Sequence, residues 1–358
     1  FRSDGYGGGI LTFGPSSPTI INNTIENNSA LKGGGFHAQV DNTLSTVSNN
    51  IIRNNACTED NGGGIYFQNG TLYLSNNQIV GNTAPDSGGG VFVVNSGNLP
   101  SQLIGNQIVG NQSGSNGGGL WMRTSNPVIA NNLIHGNSSE SGGGVFLEDS
   151  GSFINNTVVN NSGSLFGGGI FSNGSSYAIS NSIVRDNSAP NTPDISGAAS
   201  LSITYSNITG GAAGTGNIDA DPLFVDPSMA DYRLQAGSPS NDAGSNFLLP
   251  NDELDLDGDS DVTELLPYDL TGNPRQTDDS SAADTGEGSS PIVDMGAFEL
   301  TSGCPEDLDG NGEINFNDLL LLLAAWGNCP GCPEDIDGSG DVGFSDTLLL
   351  LAAWGTCS

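Results

Sequence analysis

Residues 62–84 read GGGIYFQNGTLYLSNNQIVGNTA, and the fold follows from how this stretch recurs. Glycine triplets begin at Gly7, Gly33, Gly62, Gly88, Gly117, Gly142 and Gly167, a period of 25 to 29 residues. Aligned on the triplets, Asn23/Asn28, Asn50/Asn55, Asn77/Asn82, Asn106/Asn111, Asn132/Asn137 and Asn156/Asn161 stand as pairs five apart, and Ser182/Asn187 continues the series. The spacing within a pair never changes, whereas the distance from triplet to first Asn varies from 14 to 18. Rigid corners joined by tolerant loops have this signature, and a period of this size marks a stacked, repeated unit.

Columns between the corners define the unit. Two residues after the first Asn stand Ile25, Ile52, Ile79, Ile108, Ile134, Val158 and Val184; three residues before it stand Ile20, Val47, Leu74, Leu103, Ile129, Phe153 and Ile179. Stacked strands lie ~4.8 Å apart, so each column becomes a ladder of like apolar side chains. No helical period of 3.6 runs through them. The expected fold is all-β: a right-handed parallel β-helix of about eight coils over residues 1–211. Asparagine at the corners tolerates left-handed backbone and can link its amide to the next coil. The triplets permit tight bends and close backbone approach.

GGGIYFQNGTLYLSNNQIVGNTA resembles the repeats of the pectin-lyase-like β-helix superfamily, including the polymorphic outer-membrane-protein type. That resemblance implies a secreted or surface-displayed bacterial protein, adhesive in some relatives. Residues 212–300 change character: DADPLFVDPSMADYRLQAGSPSNDAGSN, LTGNPRQ and VDMGAFEL are short strand-like pieces between turns. They resemble the region that closes β-helices in extracellular proteins of the choice-of-anchor type. An open last coil needs such a cap. Within it DELDLDGDSDVTE alternates Asp255, Asp257, Asp259 and Asp261 around Gly258, a candidate irregular calcium site. The chain opens on FRSDGYGGGI, already inside a repeat, so a leader and earlier repeats are expected upstream. An edge exposed there would suit end-to-end self-association.

The 358 residues carry a formal net charge of −33, unevenly spread. Residues 1–211 hold 11 acids and 5 bases, 212–300 hold 19 and 2, and 301–358 hold 10 and none. Such a chain repels nucleic acid and anionic lipid and suits divalent cations. The longest apolar run, Leu319 to Trp326, is too short to span a membrane.

The last 55 residues contain CPEDLDGNGEINFNDLLLLLAAWGNC and, 28 residues on, CPEDIDGSGDVGFSDTLLLLAAWGTC. Calcium loops take ligands from positions 1, 3, 5, 7, 9 and 12 with glycine at 6. The first copy offers Asp307, Asp309, Asn311, the Glu313 carbonyl, Asn315 and Asp318 around Gly312. The second offers Asp335, Asp337, Ser339, the Asp341 carbonyl and Asp346 around Gly340, with Gly343 in place of the ninth-position ligand. Each loop leads into an apolar helix, and the two helices are expected to bury against each other. Cys304, Cys329, Cys332 and Cys357 bracket the copies with 24 residues inside each bracket. The regularity favours Cys304–Cys329 and Cys332–Cys357 among three formal pairings, in an oxidising compartment; zinc is the alternative. The pair resembles a dockerin, a small EF-hand-like α-helical module covering residues 301–358. The resemblance implies calcium and a cohesin-like protein partner, although no basic residue stands in either helix and bracketing cysteines depart from the pattern.

The resemblance to the pectin-lyase-like superfamily implies that catalysis, where present, uses clustered carboxylates, or calcium with a basic residue. The candidates here are His37, His135, Arg53, Arg123, Arg185, Glu148, Asp149 and Asp186. His135 shares a column with Glu26, Arg53, Val80 and Val109, an ordinary outward face, and the neighbours Glu148 and Asp149 point to opposite sides of a strand. A second column reads Leu11, His37, Tyr66, Phe92, Trp121, Phe146 and Phe171. Facing outward, Tyr66, Phe92, Trp121, Phe146 and Phe171 form a stacked strip about 25 Å long for glycan stacking or assembly; facing inward, they are core. Lone Cys57 sits in a column of small residues and reads as buried and unreactive.

The sequence therefore reads as a secreted, non-catalytic surface or matrix protein that binds a polysaccharide or cell-surface component and attaches through calcium-ordered repeats. The alternatives are a polysaccharide lyase or glycoside hydrolase delivered by its tail, and a filament subunit.

Overall fold

A computed structural model describes residues 5–94, 99–174, 176–197, 201–279, 282–300, 306–308, 313–329, 332–337 and 339–356. The repeats wind into a right-handed parallel β-solenoid. One coil serves for all. It runs through strands Ile65–Gln68, Thr71–Ser75, Gln78–Val80 and Thr83–Ala84, then returns through the next glycine triplet. Strands of the third kind stack into an eight-stranded sheet and those of the fourth into a six-stranded one. The first two kinds share a 14-stranded sheet, because Leu120–Ala130 and Val145–Ile154 each run through both without a break.

The registers match the columns of the sequence. Ile65 pairs with Val91, Leu74 with Leu103 and Ile79 with Ile108. Ile65, Phe67, Leu72, Leu74 and Ile79 are fully buried in one continuous core that runs the length of the solenoid. Each such side chain contributes roughly 1.5–3 kcal/mol of burial, repeated coil after coil.

At the corners two jobs fall to two adjacent residues. Left-handed backbone belongs to the residue before each ladder asparagine: Asn49, Asn54 and Asn76, or Gly81, Gly105 and Gly110. The ladder residue itself is buried and bonds across coils. Asn82 Nδ2 donates to Asn111 Oδ1 at 2.9 Å and to the Ile52 carbonyl at 2.9 Å, while its Oδ1 accepts from the N–H and Nδ2 of Asn55, both at 3.0 Å. In the first column the ladder passes from Asn156 to Ser182 and Ser206 and then to Asn217. The triplets stack as closely: a Cβ on Gly63 would lie 2.4 Å from the carbonyl oxygens of Gly89 and Thr83.

The segment after the repeats does more than cap. Closure of the last coil falls to residues 206–218, where Ile208 N–H donates to the Ile218 carbonyl and Ser206 N–H to Asn217 Oδ1. From Phe224 onward the chain folds back along the flank of the solenoid. Phe224, Tyr232, Leu234, Met295, Ala297 and Phe298 pack on the outward side of Leu133, Val159 and Ile183. Further along, Leu266 packs on Ile104, Ala130 and Ile154. Flank asparagines hold this strap: Asn131 Nδ2 donates to the Tyr268 carbonyl, Asn155 Nδ2 to that of Asp294, and Asn160 Nδ2 to Tyr232 Oη.

The C-terminal repeats form helices α1 (Phe316–Ala324) and α2 (Phe344–Ala352). Glu313–Ile314 pairs antiparallel with Gly355–Thr356, and Gly327–Asn328 with Asp341–Val342, so each repeat's exit strand pairs with the other's loop. Ile314, Leu322, Val342 and Leu350 form the small shared core. Mutual burial of the helices goes no further. Leu320, Leu321, Leu323 and Trp326, with their counterparts Leu348, Leu349, Leu351 and Trp354, are exposed. A helix with leucine on every side has more apolar surface than one small partner can cover.

Candidate metal centres and the aromatic ladder

In the second tail loop, Asp335, Asp337 and Asp346 each bring a carboxylate oxygen within 4.8 Å of the others. Backbone N–H groups organise them. Gly340 N–H donates to Asp335 Oδ2 at 2.8 Å and Ser339 N–H to Asp337 Oδ1 at 2.9 Å; Asp337 and Gly343 N–H donate to the two oxygens of Asp346. Gly340 takes φ 93°, which the sharp turn of such a loop requires. Asp335 Oδ1 is buried without a hydrogen-bond partner. Ser339 Oγ bonds the Asp341 carbonyl at 3.1 Å, so these two candidates are also neighbours.

The first loop repeats the frame where it is described. Asn315 Oδ1 accepts from Asn317 N–H at 2.8 Å, and buried Asp318 accepts from Asn315 N–H at 2.8 Å, closing a capping box at the start of α1. Asp307 is half-buried, and Glu313 lies in the paired strand. Asp309, Asn311, Gly312, Cys304 and Cys357 lie outside the described residues. The cysteine pairing favoured by spacing is corrected: Cys329 is bonded to Cys332, with Cα atoms 5.6 Å apart. The turn between the repeats brings them together, Cys332 N–H donating to the Cys329 carbonyl at 3.2 Å.

The acidic loop of the flank strap is also rearranged relative to its alternating pattern. Asp255, Asp257 and Asp259 do converge, but Asp261 turns to accept from the N–H and hydroxyl of Thr263. Two residues outside the alternation join instead: Asp252, Asp257 and Glu264 form a second triad around the shared Asp257. Asp252 is fully buried with Oδ1 unpartnered, and Glu264 Oε1 is likewise buried and unpartnered. Burial, and then Asp257 and Asp255, push the Asp252 carboxyl up. Oxygen-only donor sets of this kind suit a hard divalent cation.

Within the strap lies a buried charge network that pattern reading missed. Arg275 is buried, donates from Nη2 to the carbonyls of Gly296 and Asp294, and approaches Glu299 at 3.6 Å. Asp294 accepts from the N–H of Asp242 and Leu300; burial pushes its carboxyl up to about 7. The signal in the sequence was an arginine and acids among Gly and Pro turns, indistinguishable there from a solvated loop.

The aromatic column resolves into neither alternative. It points away from the solenoid core and forms its own cluster, with Tyr66, Phe92, Trp121 and Phe146 stacked. Centroid distances run 5.1, 4.3 and 6.3 Å along these four, with Phe171 5.1 Å beyond Phe146 and His37 stacked 4.6 Å before Tyr66. Yet Tyr66, Phe92, Trp121 and Phe146 are only 5–8% exposed, and only Phe171 is half-buried. The expected open platform is therefore corrected. Each ring covers the faces of its neighbours, and Lys32 and Arg123 lie over the Tyr66 and Trp121 rings. A ring whose faces are already occupied has no face to offer a sugar.

The acid–base candidates are dispersed among structural partners. Arg53 pairs with Glu26 at 2.6 Å, Arg185 with Asp219 at 2.9 Å, and Arg123 lies 3.7 Å from Glu148. Asp149 and Asp186 both take left-handed backbone, Asp186 at the corner before Asn187 and Asp149 within strand Val145–Ile154. His37 is buried in the aromatic stack with neither ring nitrogen bonded; burial, with Lys32 nearby, lowers its pKa to about 4. His135 packs against Tyr232, and burial lowers its pKa too. Cys57 is buried, its thiol pushed up by burial.

No described helix is long and apolar enough to cross a membrane. No curated protein and no solved structure matches the chain. One family model does: the right handed beta helix region, over residues 2–113, which covers the first coils of the solenoid described above.

Proposed function

We propose that this chain is a non-catalytic extracellular scaffold, a rigid β-solenoid attached to its surroundings through a calcium-ordered C-terminal pair of repeats. The observation that carries this reading is the coincidence, in the second tail repeat, of three converging carboxylates with an apolar helix face left open. Asp346 caps the helix and belongs to the acidic cluster, so cation binding and the orientation of Leu348, Leu349, Leu351 and Trp354 are mechanically one event. The first repeat supplies the matching face. The partner is a protein with an apolar groove, of the kind a cohesin-like module would offer, and a secreted location supplies both calcium and oxidised cysteines.

Calcium titration of the full chain, followed by calorimetry and Trp fluorescence, tests the reading. Trp326 and Trp354 stand at the ends of the two helices and report their ordering. Heat and a fluorescence change, each reduced by Asp335→Ala, support it; neither would sink it. Incubation with a polysaccharide panel is the companion assay, and release of unsaturated or reducing ends would overturn the non-catalytic assignment.

A further inference from the structure

The flank strap contains a third acidic constellation that neither the tail nor the 252–264 loop includes. Asp242, Asp278 and Asp284 each place a carboxylate oxygen within 4.8 Å of the other two. The three are unequal. Asp278 and Asp284 are exposed, while Asp242 is 0% exposed. Both carboxylate oxygens of Asp242 are without a hydrogen-bond donor, and so is Oδ1 of adjacent Asn241. The Asp242 backbone, by contrast, is fully used: its N–H donates to Asp294 Oδ1, and its carbonyl accepts from Thr285 and Gly286 N–H. Among the described residues no Lys or Arg forms an ion pair with any of the three.

A buried carboxylate normally has donors or a cation, because an uncompensated one is costly to desolvate. The groups around it are mostly further carboxylates, those of Asp278, Asp284 and Asp279, with only the backbone N–H of Asp279 nearby to offset them, which makes the cost worse. Oxygen-only donors carrying three negative charges select a hard divalent ion over zinc or copper. We propose that Asp242, Asp278 and Asp284 bind a calcium-type divalent cation that clasps the chain at Asp278 and Asp284 to the segment around Asp242, behind the last coils. The position gives the ion a role. Asp242 is followed by Ala243, which packs with Leu133, Val159 and Ile183, and by Ser245, whose N–H donates to Asn181 Oδ1. Asp278 and Asp284 come from a later part of the chain, on the exposed side of the cluster. The ion therefore joins the layer against the solenoid to the layer outside it.

The test uses the full chain carrying Asp307→Ala, Asp335→Ala and Asp257→Asn, which disables the tail and acidic-loop sites and separates this proposal from the preceding one. Calcium chloride is titrated by calorimetry near neutral pH into this background and into the same background with Asp278→Asn and Asp284→Asn. Those two side chains are exposed, so the variant is expected to fold, with circular dichroism as the check. One site is expected in the background and none after the double change. Amide exchange gives a second readout: Thr285 and Gly286 N–H should slow at least tenfold on adding calcium to the background only. No binding heat in the background, or heat and protection unchanged by the double substitution, would overturn the assignment.

Discussion

Replacing Asn82 by Ala tests the corner ladder at its centre. The side chain is fully buried and makes four hydrogen bonds: two accepted from Asn55, one donated to Ile52 and one to Asn111. At about 1 kcal/mol net each, their loss costs roughly 4 kcal/mol. The partners do not suffer equally. Asn55 Nδ2 keeps its bond to the Ile25 carbonyl, and Asn111 Oδ1 keeps the one from Asn82 N–H. The Asn55 N–H has no other acceptor and is left buried, which adds about 1–3 kcal/mol. The expected loss is therefore about 5–7 kcal/mol, far beyond a surface substitution. Urea unfolding measures it, provided the slope with denaturant is unchanged from the parent. Amide exchange at Asn55 should accelerate before distant coils respond, because neighbouring coils carry the coupling in a stacked array. A loss under about 1 kcal/mol, with Asn55 still protected, would refute the reasoning.

The other predictions concern the stack, the triplets and the tail. Trp121→Ala removes a ring packed between Phe92 and Phe146 and should cost about 3–5 kcal/mol; unchanged stability would restore an exposed platform. His37 is neutral in the fold, with a folded pKa near 4 against 6.5 unfolded. Its stabilisation is complete above about pH 6.5 and is lost as pH falls toward 4, by roughly 3 kcal/mol. His37→Phe should remove that slope from a pH series of unfolding midpoints, and an identical slope would exclude the histidine as its source. Gly63→Ala puts a methyl against two backbone oxygens of neighbouring strands, which cannot withdraw; soluble yield should collapse, and a normally folded variant would contradict the close stacking. Asp346→Asn should reduce calcium affinity at the second tail loop at least tenfold by calorimetry, and an unaltered isotherm would remove Asp346 from the site.

What could be read from the sequence is what repeats. Ile79 and Ile108 lie in register because each coil meets nearly identical neighbours, so one correct column fixes all the others. Nothing repeats in the strap. Its path back along Leu133, Val159 and Ile183 depends on pairings between single residues more than 100 positions apart, such as Thr157 with Ala297. The metal candidates divide the same way. Asp335, Asp337 and Asp346 were legible because a fixed ligand spacing dictates them, whereas Asp252, Glu264 and Asp242 enter their clusters through tertiary folding. Spacing misled twice. Equal brackets favoured the wrong partner for Cys329, where a local turn decides, and strict alternation included Asp261, which Thr263 holds elsewhere. The aromatic column shows the remaining limit: alternation fixes the direction of a side chain, but not whether its own neighbours cover it.

The corner ladder also has a polarity. Every asparagine in the second column sends its backbone N–H and one amide proton to the oxygen of the coil that follows, from Asn28 through Asn187. Each coil therefore presents the same acceptor to the coil before it and the same pair of donors to the coil after it. Coils are interchangeable in the middle of the run and inequivalent at its ends. At the C-terminal end the two donors of Asn187 converge on Asp194 Oδ1, a carboxylate where every earlier coil has an amide. An amide there would accept the same bonds and offer donors onward; the carboxylate accepts them and offers nothing. Asp194 thus ends the second ladder in hydrogen-bond chemistry, while the first runs on to Asn217 in the closing coil. Solenoid length can change by whole coils ahead of those the strap contacts, with the end of this ladder unaltered.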